Sequence, residues 1–327
     1  MRDSEFFGHV TAAAPGKVNL SLRVGPLRPD GYHDVATLYF AVSLYEEVTA
    51  SARADDRITI ALSERSAFTE TFESDAAGGL VGTAIPLDEN NLAYRAAALL
   101  RTRLDVDYGV DLTITKNVPV AGGMGGGSAD AAAALVACSA LWDAGLTREQ
   151  LAEIAGELGA DVPFPILGGA AAGHGVGDQL TPLLTRGELH LVIIPAATGL
   201  STPGVYGALD DMRLEAGIAA EDPELDADLV RAVCSADAEM VATLMANDLQ
   251  APAISRVPSL DEMMDIGLHE GALQGIVSGS GPTVMLLARD GASAAELATR
   301  LQERTDVWAI PVSGPAHGAR ILTARPS

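Results

Sequence analysis

Lysine is nearly missing from this chain, although basic residues are not. Only two of its 21 Lys and Arg residues are lysines, Lys17 in A-P-G-K-V-N-L and Lys116 in T-K-N-V-P-V. Where arginine is the general choice, a position that stays lysine can need a compact, donor-rich point charge, which the planar guanidinium does not copy. Both lysines are therefore candidate functional residues, with chance as the alternative explanation.

Other scarcities exclude whole classes of protein. The two cysteines, Cys138 and Cys234, lie far apart in apolar runs, which favours free thiols over a disulfide framework or a metal site. The net charge of −23 argues against general binding of nucleic acid or of an acidic membrane. No apolar signal core opens the chain, and its most apolar run, residues 131–142, is too short to span a bilayer. We expect a soluble cytoplasmic protein whose partners are small molecules.

The length of 327 residues and the hydrophobic content of 48% predict two domains, which we divide into 1–185 and 186–327. Near the start, strands over 10–14 and 19–24 are expected to flank a P-G-K turn, followed by a strand over 37–52. A long loop is expected over 63–88, then a helix over 91–103 capped by Asn90, and a strand over 110–115. Strand, helix and strand near the C-terminus suggest a small α+β layer.

The chain's most informative segment is V-A-G-G-M-G-G-G-S-A-D, residues 120–130, placed between a predicted strand and a helix predicted over 128–143. Five glycines in six positions remove Cβ atoms and permit positive φ, so that several N–H groups can turn toward one point. The helix start adds further free N–H groups and the positive end of its dipole. The segment is neither a Walker A motif nor a dinucleotide fingerprint, but its chemistry predicts a phosphate site. Ser128 is expected to cap the helix or to reach a phosphate or metal oxygen.

Three further segments are candidates with simpler alternatives. Asp161, in G-A-D-V-P-F, is a turn or capping residue, or a general base or orienter for a hydroxyl. Tyr32 and His33, in P-D-G-Y-H-D, form the end of a surface hairpin or a pair that stacks on a ring and hydrogen-bonds it. The S-G-S-G turn, residues 278–281, connects two strands or lets the backbone approach a ligand.

Three segments together make the chain resemble the GHMP kinase superfamily: P-G-K-V-N-L, P-V-A-G-G-M-G-G-G-S-A-D and V-S-G-S-G-P-T-V. P-D-G-Y-H and G-A-D-V-P-F resemble one branch of it, whose members phosphorylate the 2-hydroxyl of a cytidine-diphosphate-linked methylerythritol in the non-mevalonate isoprenoid pathway. The implied fold is α+β: an N-terminal α/β ATP-binding domain with a left-handed βαβ crossover, and a ferredoxin-like C-terminal domain on the substrate side. The implied enzyme is an ATP-dependent small-molecule kinase that uses Mg²⁺, whose ligands the sequence does not assign.

The resemblance also implies roles for particular residues. Lys17 and Asp161 match the catalytic pair, with Asp161 as base or orienter and Lys17 holding it ionised. Three residues match the cytidine side of the substrate pocket: Asn19, Tyr32 and His33. Asn91 and Lys116 match positions near the adenine. The remaining ATP-binding positions form the phosphate loop: Pro119, Val120, Ala121, Gly122, Gly123, Met124, Gly125, Gly126, Gly127, Ser128 and Ala129.

The chain departs from the usual pattern of the superfamily in a few places. It has P-G-K where P-A-K is frequent, and S-A-D where S-S-D is frequent, so one hydroxyl, that of Ser128, is left for phosphate or metal. Two alternatives stay open at this point. One is another GHMP kinase of the homoserine or mevalonate type, although the Tyr32–His33 pair suits a nucleobase that those substrates lack. The other is a non-catalytic nucleotide-binding protein on the same scaffold.

Overall fold

The computed structural model of the chain describes residues 7–74, 80–196 and 199–326. Its strands, in chain order, are β1 (Phe7–Leu27), β2 (His33–Ala52), β3 (Ile58–Leu62), β4 (Glu70–Ser74), β5 (Leu80–Ala84), β6 (Val110–Thr115), β7 (Ala170–His174), β8 (Gln179–Leu183), β9 (Leu189–Ile194), β10 (Ala246–Asn247), β11 (Gln274–Val277), β12 (Val284–Ala288), β13 (Ile310–Gly314) and β14 (Arg320–Pro326). Its helices are α1 (Leu92–Leu104), α2 (Gly126–Leu141), α3 (Arg148–Gly156), α4 (Pro163–Leu167), α5 (Thr202–Ala216), α6 (Ala227–Ser235), α7 (Ala238–Leu244), α8 (Gln250–Arg256), α9 (Ser259–His269) and α10 (Gly291–Thr305). Within these ranges, no helix is long and apolar enough to cross a membrane.

The larger sheet is organised around the long hairpin of β1 and β2. Its strands run in the order β10-β1-β2-β6-β3, while β14 also pairs with β1, and β7 pairs with β2 and β8. The last strand of the chain therefore returns to the first one. β10 and β14 lie beyond the predicted domain boundary near residue 185, yet both pair with β1 of this sheet. The boundary itself stays a prediction.

The P-G-K segment is not the turn that the sequence suggested. β1 runs continuously through it, and its register against β2 shifts between Pro15 and Lys17. Such an irregularity bends a strand and re-aims a side chain without ending the pairing. The backbone N–H of Lys17 also donates to the carbonyl of Met124 at 2.9 Å, which ties β1 to the phosphate loop.

Two more local predictions near residue 90 need correction. Asn91, not Asn90, caps α1, since its side chain accepts a hydrogen bond from the N–H of Ala93 at 2.9 Å. The segment 63–88 is not a plain loop, because β4 and β5 pair within it as an antiparallel hairpin, with residues 75–79 outside the described part. β3 and β6 are parallel, so α1 lies in a crossover connection between them; its predicted left hand stays a prediction.

Helix α2 begins at Gly126, two residues before the predicted start, and is buried on almost every side. Its small side chains let it pack closely on α1, β1 and β2. The alanines of α2 share one apolar cluster with Leu100, Leu112 and Leu135. This dense packing gives the phosphate loop a rigid support at its C-terminal end.

The smaller sheet has the order β11-β12-β9-β13, and every neighbouring pair is antiparallel. Helices α5 to α9 connect β9 to β11, and α10 connects β12 to β13. Two strand–helix–strand units interleaved in this order form the ferredoxin-like arrangement expected from the resemblance. Leu191 and Met285 of this sheet share an apolar cluster with Leu20 and Phe40 of the larger sheet, so the two sheets pack on each other.

Candidate active site

A cavity of about 800 Å³ lies where the two sheets and the phosphate loop meet. Its wall includes Lys17, Asn19, Tyr32, His33 and Asp161, so five predicted site residues from three distant segments line one space. Most of the phosphate loop lines it too: Pro119, Ala121, Gly122, Gly123, Gly125, Gly126, Gly127 and Ser128. Its size is ordinary for a site that holds small molecules.

The phosphate loop has the conformation that its glycines allow. Gly123 and Gly125 have φ of 75° and 67°, and a Cβ on Gly123 would lie 2.2 Å from the carbonyl oxygen of Ser278. The first bond at the start of α2 runs from the N–H of Ala129 to the carbonyl of Gly125, so the preceding N–H groups lack intrahelical partners. Ser128 lies inside the helix and does not cap it, since Gly125 is the N-cap and no side chain caps the helix. Free N–H groups beside a cavity favour an anion.

Lys17 and Asp161 meet at the wall of this cavity. The Nζ of Lys17 lies 3.7 Å from Oδ2 of Asp161 and donates to Oδ1 of Asn19 at 2.9 Å. Nδ2 of Asn19 donates in turn to Oγ1 of Thr37 at 2.7 Å. Lys17 is almost fully buried, whereas the side chain of Asp161 is 40% exposed. The ammonium is therefore fixed by its neighbours, and the carboxylate stays open to a bound molecule.

Tyr39 is a further residue of this group. Its hydroxyl donates to Oδ1 of Asp161 at 2.9 Å, and its ring packs on Phe164 of α4 with centroids 5.1 Å apart. Burial, followed by the charge and hydrogen bond of Asp161, raises the pKa of Tyr39 well above its usual range, so its hydroxyl keeps its proton and remains a donor. The two oxygens of Asp161 thus face different partners, Tyr39 and Lys17.

The rings of His33 and Tyr206 pack together in another part of the wall, with centroids 5.1 Å apart. Nε2 of His33 lies 3.1 Å from both carboxylate oxygens of Asp210 on α5. Tyr32, next to His33, is 65% exposed and lines the same cavity. This part of the wall can therefore hold a planar ring and hydrogen-bond its edge.

The S-G-S-G turn of the C-terminal half closes the wall against the phosphate loop. Gly279, Ser280 and Gly281 line the cavity, and a Cβ on Gly279 would lie 3.2 Å from Oδ1 of Asn19. The hydroxyl of Ser278 lies within 3.3 Å of the carbonyl oxygen of Gly123 and donates to it. Only residues without a Cβ permit this approach of the two backbones.

The cavity wall does not include every predicted ATP-binding residue: Asn91, Lys116, Val120, Met124 and Ala129 are not among the residues described as lining it. Asn91 caps α1 next to Leu92, which does line the cavity. Met124, although part of the phosphate loop, is fully buried.

Lys116 lies in a buried cluster behind the phosphate loop. Its ammonium donates to Oε1 of Glu46 and, at 2.7 Å, to Oδ2 of Asp130. Burial and then the charge of Asp130 raise the pKa of Glu46 to about 8, although Lys116 partly opposes the shift. A Cβ on Gly126 would lie 3.1 Å from Oε1 of Glu46, so a single backbone layer separates this cluster from the cavity.

Sequence reasoning missed Tyr39, Tyr206 and Asp210, which line the same cavity. Asp210 is one of 44 acidic residues, and no local pattern marks it. Tyr39 lies in a strand whose apolar composition indicated only a core element. A usable signal for Tyr206 was the scarcity of tyrosine, of which the chain has six. In the described part of the chain, no group of three His, Cys, Asp or Glu residues could hold a metal ion by itself.

Comparison with known proteins agrees with this geometry. Residues 91–169 match the GHMP kinases N terminal domain family, and residues 229–306 match the GHMP kinases C terminal family. A protein of Pseudarthrobacter chlorophenolicus named 4-diphosphocytidyl-2-C-methyl-D-erythritol kinase is 52% identical over 96% of this chain and 95% of its own length. A protein of the same name from Streptomyces coelicolor is 44% identical over 96% of this chain and 99% of its own length.

Solved structures give the same result for the fold. A crystal structure of 4-(cytidine 5'-diphospho)-2C-methyl-D-erythritol kinase matches with a TM-score of 0.72 and 29% identity, covering 93% of this chain and 99% of that one. A homoserine kinase from Cytophaga hutchinsonii matches with a TM-score of 0.70 at 18% identity, covering 96% and 98%, which shows a shared fold. From its full-length relatives and both domain matches, the chain belongs to the GHMP kinases and, within them, to the 4-diphosphocytidyl-2-C-methyl-D-erythritol kinase family.

Proposed function

We propose that the protein transfers the γ-phosphate of ATP to the 2-hydroxyl of 4-diphosphocytidyl-2-C-methyl-D-erythritol. The observation that carries this proposal is the meeting of Lys17 and Asp161, 3.7 Å apart, in the cavity that the phosphate loop lines. Phosphoryl transfer needs positioning and charge neutralisation more than covalent help from the protein. A fixed cation, an open carboxylate and an anion-binding loop supply those functions.

Asp161 is the proposed base or orienter of the acceptor hydroxyl. As the bond between the 2-oxygen and the γ-phosphorus forms, the hydroxyl proton passes to the carboxylate of Asp161, and the bond from that phosphorus to the bridging oxygen breaks to release ADP. Lys17 holds the carboxylate in place and offsets negative charge that gathers on the transferred group. Tyr39 keeps the other carboxylate oxygen oriented through its hydrogen bond.

The phosphate loop is the proposed site of the triphosphate. The glycine at 123 lets the loop pack against the S-G-S-G turn, since a Cβ there would lie 2.2 Å from the carbonyl oxygen of Ser278, and the start of α2 supplies free N–H groups. Asn91 and Lys116 stay predicted for the adenine end. Asn91 is supported by its neighbour Leu92, which lines the cavity, whereas the buried Lys116 is paired with Glu46 and Asp130 behind the wall, which gives no support to an adenine contact.

Magnesium is the proposed companion of ATP. The residues present fit such an ion, because Mg²⁺ bound to ATP takes most of its ligands from phosphates and water, and needs only one or two oxygens from the protein. Ser128 offers such an oxygen on the cavity wall. The ion would neutralise phosphate charge during transfer.

The cytidine moiety is proposed to lie at Tyr32, His33 and Asn19. The exposed ring of Tyr32 and the ring of Tyr206 offer faces for stacking, and His33 offers an edge for hydrogen bonding. Homoserine and mevalonate have no ring to use these groups, so this part of the wall favours the cytidylyl substrate. Because the reaction consumes ATP, we also propose that the protein works in the cytoplasm.

The direct test is incubation of the protein with ATP, Mg²⁺ and the cytidylyl methylerythritol. We expect ADP and a product phosphorylated on the 2-hydroxyl, identified by phosphorus NMR and mass spectrometry. Homoserine and mevalonate are the matched alternative acceptors. Turnover of one of them in preference to the cytidylyl compound would contradict the proposal, as would ATP binding without transfer to any acceptor.

A further inference from the structure

One face of α5 is built around the imidazole of His33. Tyr206 and Asp210 are four residues apart on this helix and so lie on the same side of it. The ring of Tyr206 packs against the imidazole, and the carboxylate of Asp210 lies 3.1 Å from Nε2 through each of its oxygens. The side chain of His33 is only 5% exposed, so it has little freedom to turn away from these contacts.

This contact determines which ring nitrogen carries the proton. An ionised carboxylate only accepts hydrogen bonds, so the Nε2 that faces Asp210 must be the N–H. In a neutral imidazole, Nδ1 is then the unprotonated nitrogen with a lone pair. Among the described residues, no hydrogen bond involves Nδ1 of His33. His33 lines the cavity, and Nδ1 is its ring nitrogen that does not face Asp210.

We propose that Asp210 is a positioning residue that makes the site select cytosine over uracil, by holding His33 with its Nδ1 as an acceptor for the exocyclic amine of the base. This inference rests on the proposed function, because it takes a cytidylyl group as the occupant. Uracil has a carbonyl where cytosine has the amine, so two acceptors would face each other and neither could donate. A site built to pair a donor in this way rejects the analogue that lacks it.

The first test compares the binding of CDP and UDP by calorimetry at pH 8. The wild type is expected to prefer CDP by about tenfold or more, the range that one lost and one unpaired hydrogen bond produce. Asp210→Ala frees the imidazole to take either tautomer, and most of that preference is expected to disappear, while the KM for ATP stays unchanged. Asp211→Ala is the matched control, since Asp211 is the next residue on α5 and is exposed.

The second test measures the tautomer itself in the free protein. Nitrogen-15 NMR of histidine-labelled protein at pH 8, with His33 assigned by its loss in His33→Gln, is expected to show a protonated Nε2 and an unprotonated Nδ1. In Asp210→Ala, the His33 signals are expected to move toward a mixture of both tautomers, while Asp211→Ala keeps the wild-type pattern. A loss of packing around His33 alone would not move its nitrogen-15 signals toward a mixture of the two tautomers.

Either of two results would overturn the inference: a wild-type CDP preference that survives Asp210→Ala, or an Nδ1–H tautomer in the wild type. Failure of the proposed function looks different, because it shows as the absence of the 2-phosphate product in the turnover assay. If Asp210→Ala phosphorylates the cytidylyl substrate and keeps the CDP preference, only the proposed role of Asp210 is contradicted.

Discussion

Asp161 is held by side chains from both strands of the central hairpin. Tyr39 of β2 contacts one carboxylate oxygen and Lys17 of β1 approaches the other, while the side chain remains 40% exposed. At the residue scale, the carboxylate is thus oriented without being shut off from the cavity. Groups that must take a proton from a bound hydroxyl need both properties.

Replacing Asp161 with Asn tests its proposed role as base or orienter. The amide keeps the shape of the side chain but neither accepts a proton nor carries charge, so turnover is expected to fall by at least about a hundredfold. The Kd for ATP, measured by calorimetry, should change little, since the phosphate loop is untouched. Asp211→Asn on the exposed side of α5 is the control. Near wild-type turnover in Asp161→Asn would remove this residue from the mechanism.

Tyr39→Phe removes a single hydrogen bond to the same carboxylate. A hydrogen bond to a charged group contributes about 1.5–3 kcal/mol, so we expect kcat to drop by about tenfold or more, with a smaller change in KM. Tyr45→Phe is a matched control on the same strand, since its hydroxyl reaches only the carbonyl of His317 at 3.4 Å. Equal kcat values for the two variants would show that orientation by Tyr39 does not matter.

At the element scale, the phosphate loop depends on its contact with the S-G-S-G turn. Gly123 has a positive φ and touches the carbonyl of Ser278, a residue 155 positions away in the chain. The glycine content of the loop predicted its backbone freedom. It did not predict which partner makes that freedom necessary, because that partner comes from the other half of the chain.

Gly123→Ala is therefore expected to weaken ATP binding. The added Cβ forces the loop and the turn apart, and the left-handed backbone costs an L-residue about 1 kcal/mol more. The KM for ATP should rise about tenfold or more, and the melting temperature should fall. Gly156→Ala is the control, since a Cβ there, near the end of α3, would meet its nearest neighbour only at 4.0 Å. An unchanged KM in Gly123→Ala would contradict the tight contact.

The buried cluster of Lys116, which directly follows β6, with Glu46 of β2 and Asp130 of α2 predicts a pH dependence of stability. Burial raises the pKa of Glu46 from 4.5 to about 8, so the folded protein keeps a proton that the unfolded chain has already released in that range. The free energy of unfolding should therefore fall as the pH rises from about 4.5 to 8, by on the order of a few kcal/mol.

Glu46→Gln tests this dependence, because it removes one of the two buried acids with a raised pKa and leaves Lys116 paired with the other, Asp130. Chemical denaturation at a series of pH values should show a flatter profile for this variant than for the wild type. Glu47→Gln, at the adjacent and half-buried position, is the control and should keep the wild-type slope. The same slope in all three proteins would show that Glu46 is ionised throughout.

At the scale of the whole molecule, the two halves complete each other. β14 pairs with β1 along six registered positions, β10 pairs with its other part, and Gly279–Gly281 supply part of the cavity wall. Separate fragments 1–185 and 186–327, cut at the predicted boundary, are thus expected to lose ATP binding measurable by calorimetry. The first fragment should also lose its cooperative melting by circular dichroism, since β1 would have unpaired backbone groups. A fragment 1–185 that melts cooperatively and binds ATP like the full chain would contradict this prediction.

The sequence by itself determined the chemistry that depends on near neighbours: a glycine-rich segment before a helix, a rare lysine in P-G-K and a Tyr-His pair after a turn. These patterns also carried the resemblance to the GHMP kinases, which the relatives and solved structures confirmed. The tertiary structure alone decided that β1 passes unbroken through P-G-K, that Tyr39 and Asp210 join the site, and that Lys116 lies behind the wall. Those outcomes depend on which distant strands and helices pack together, and packing is a property of the whole chain that no short segment encodes.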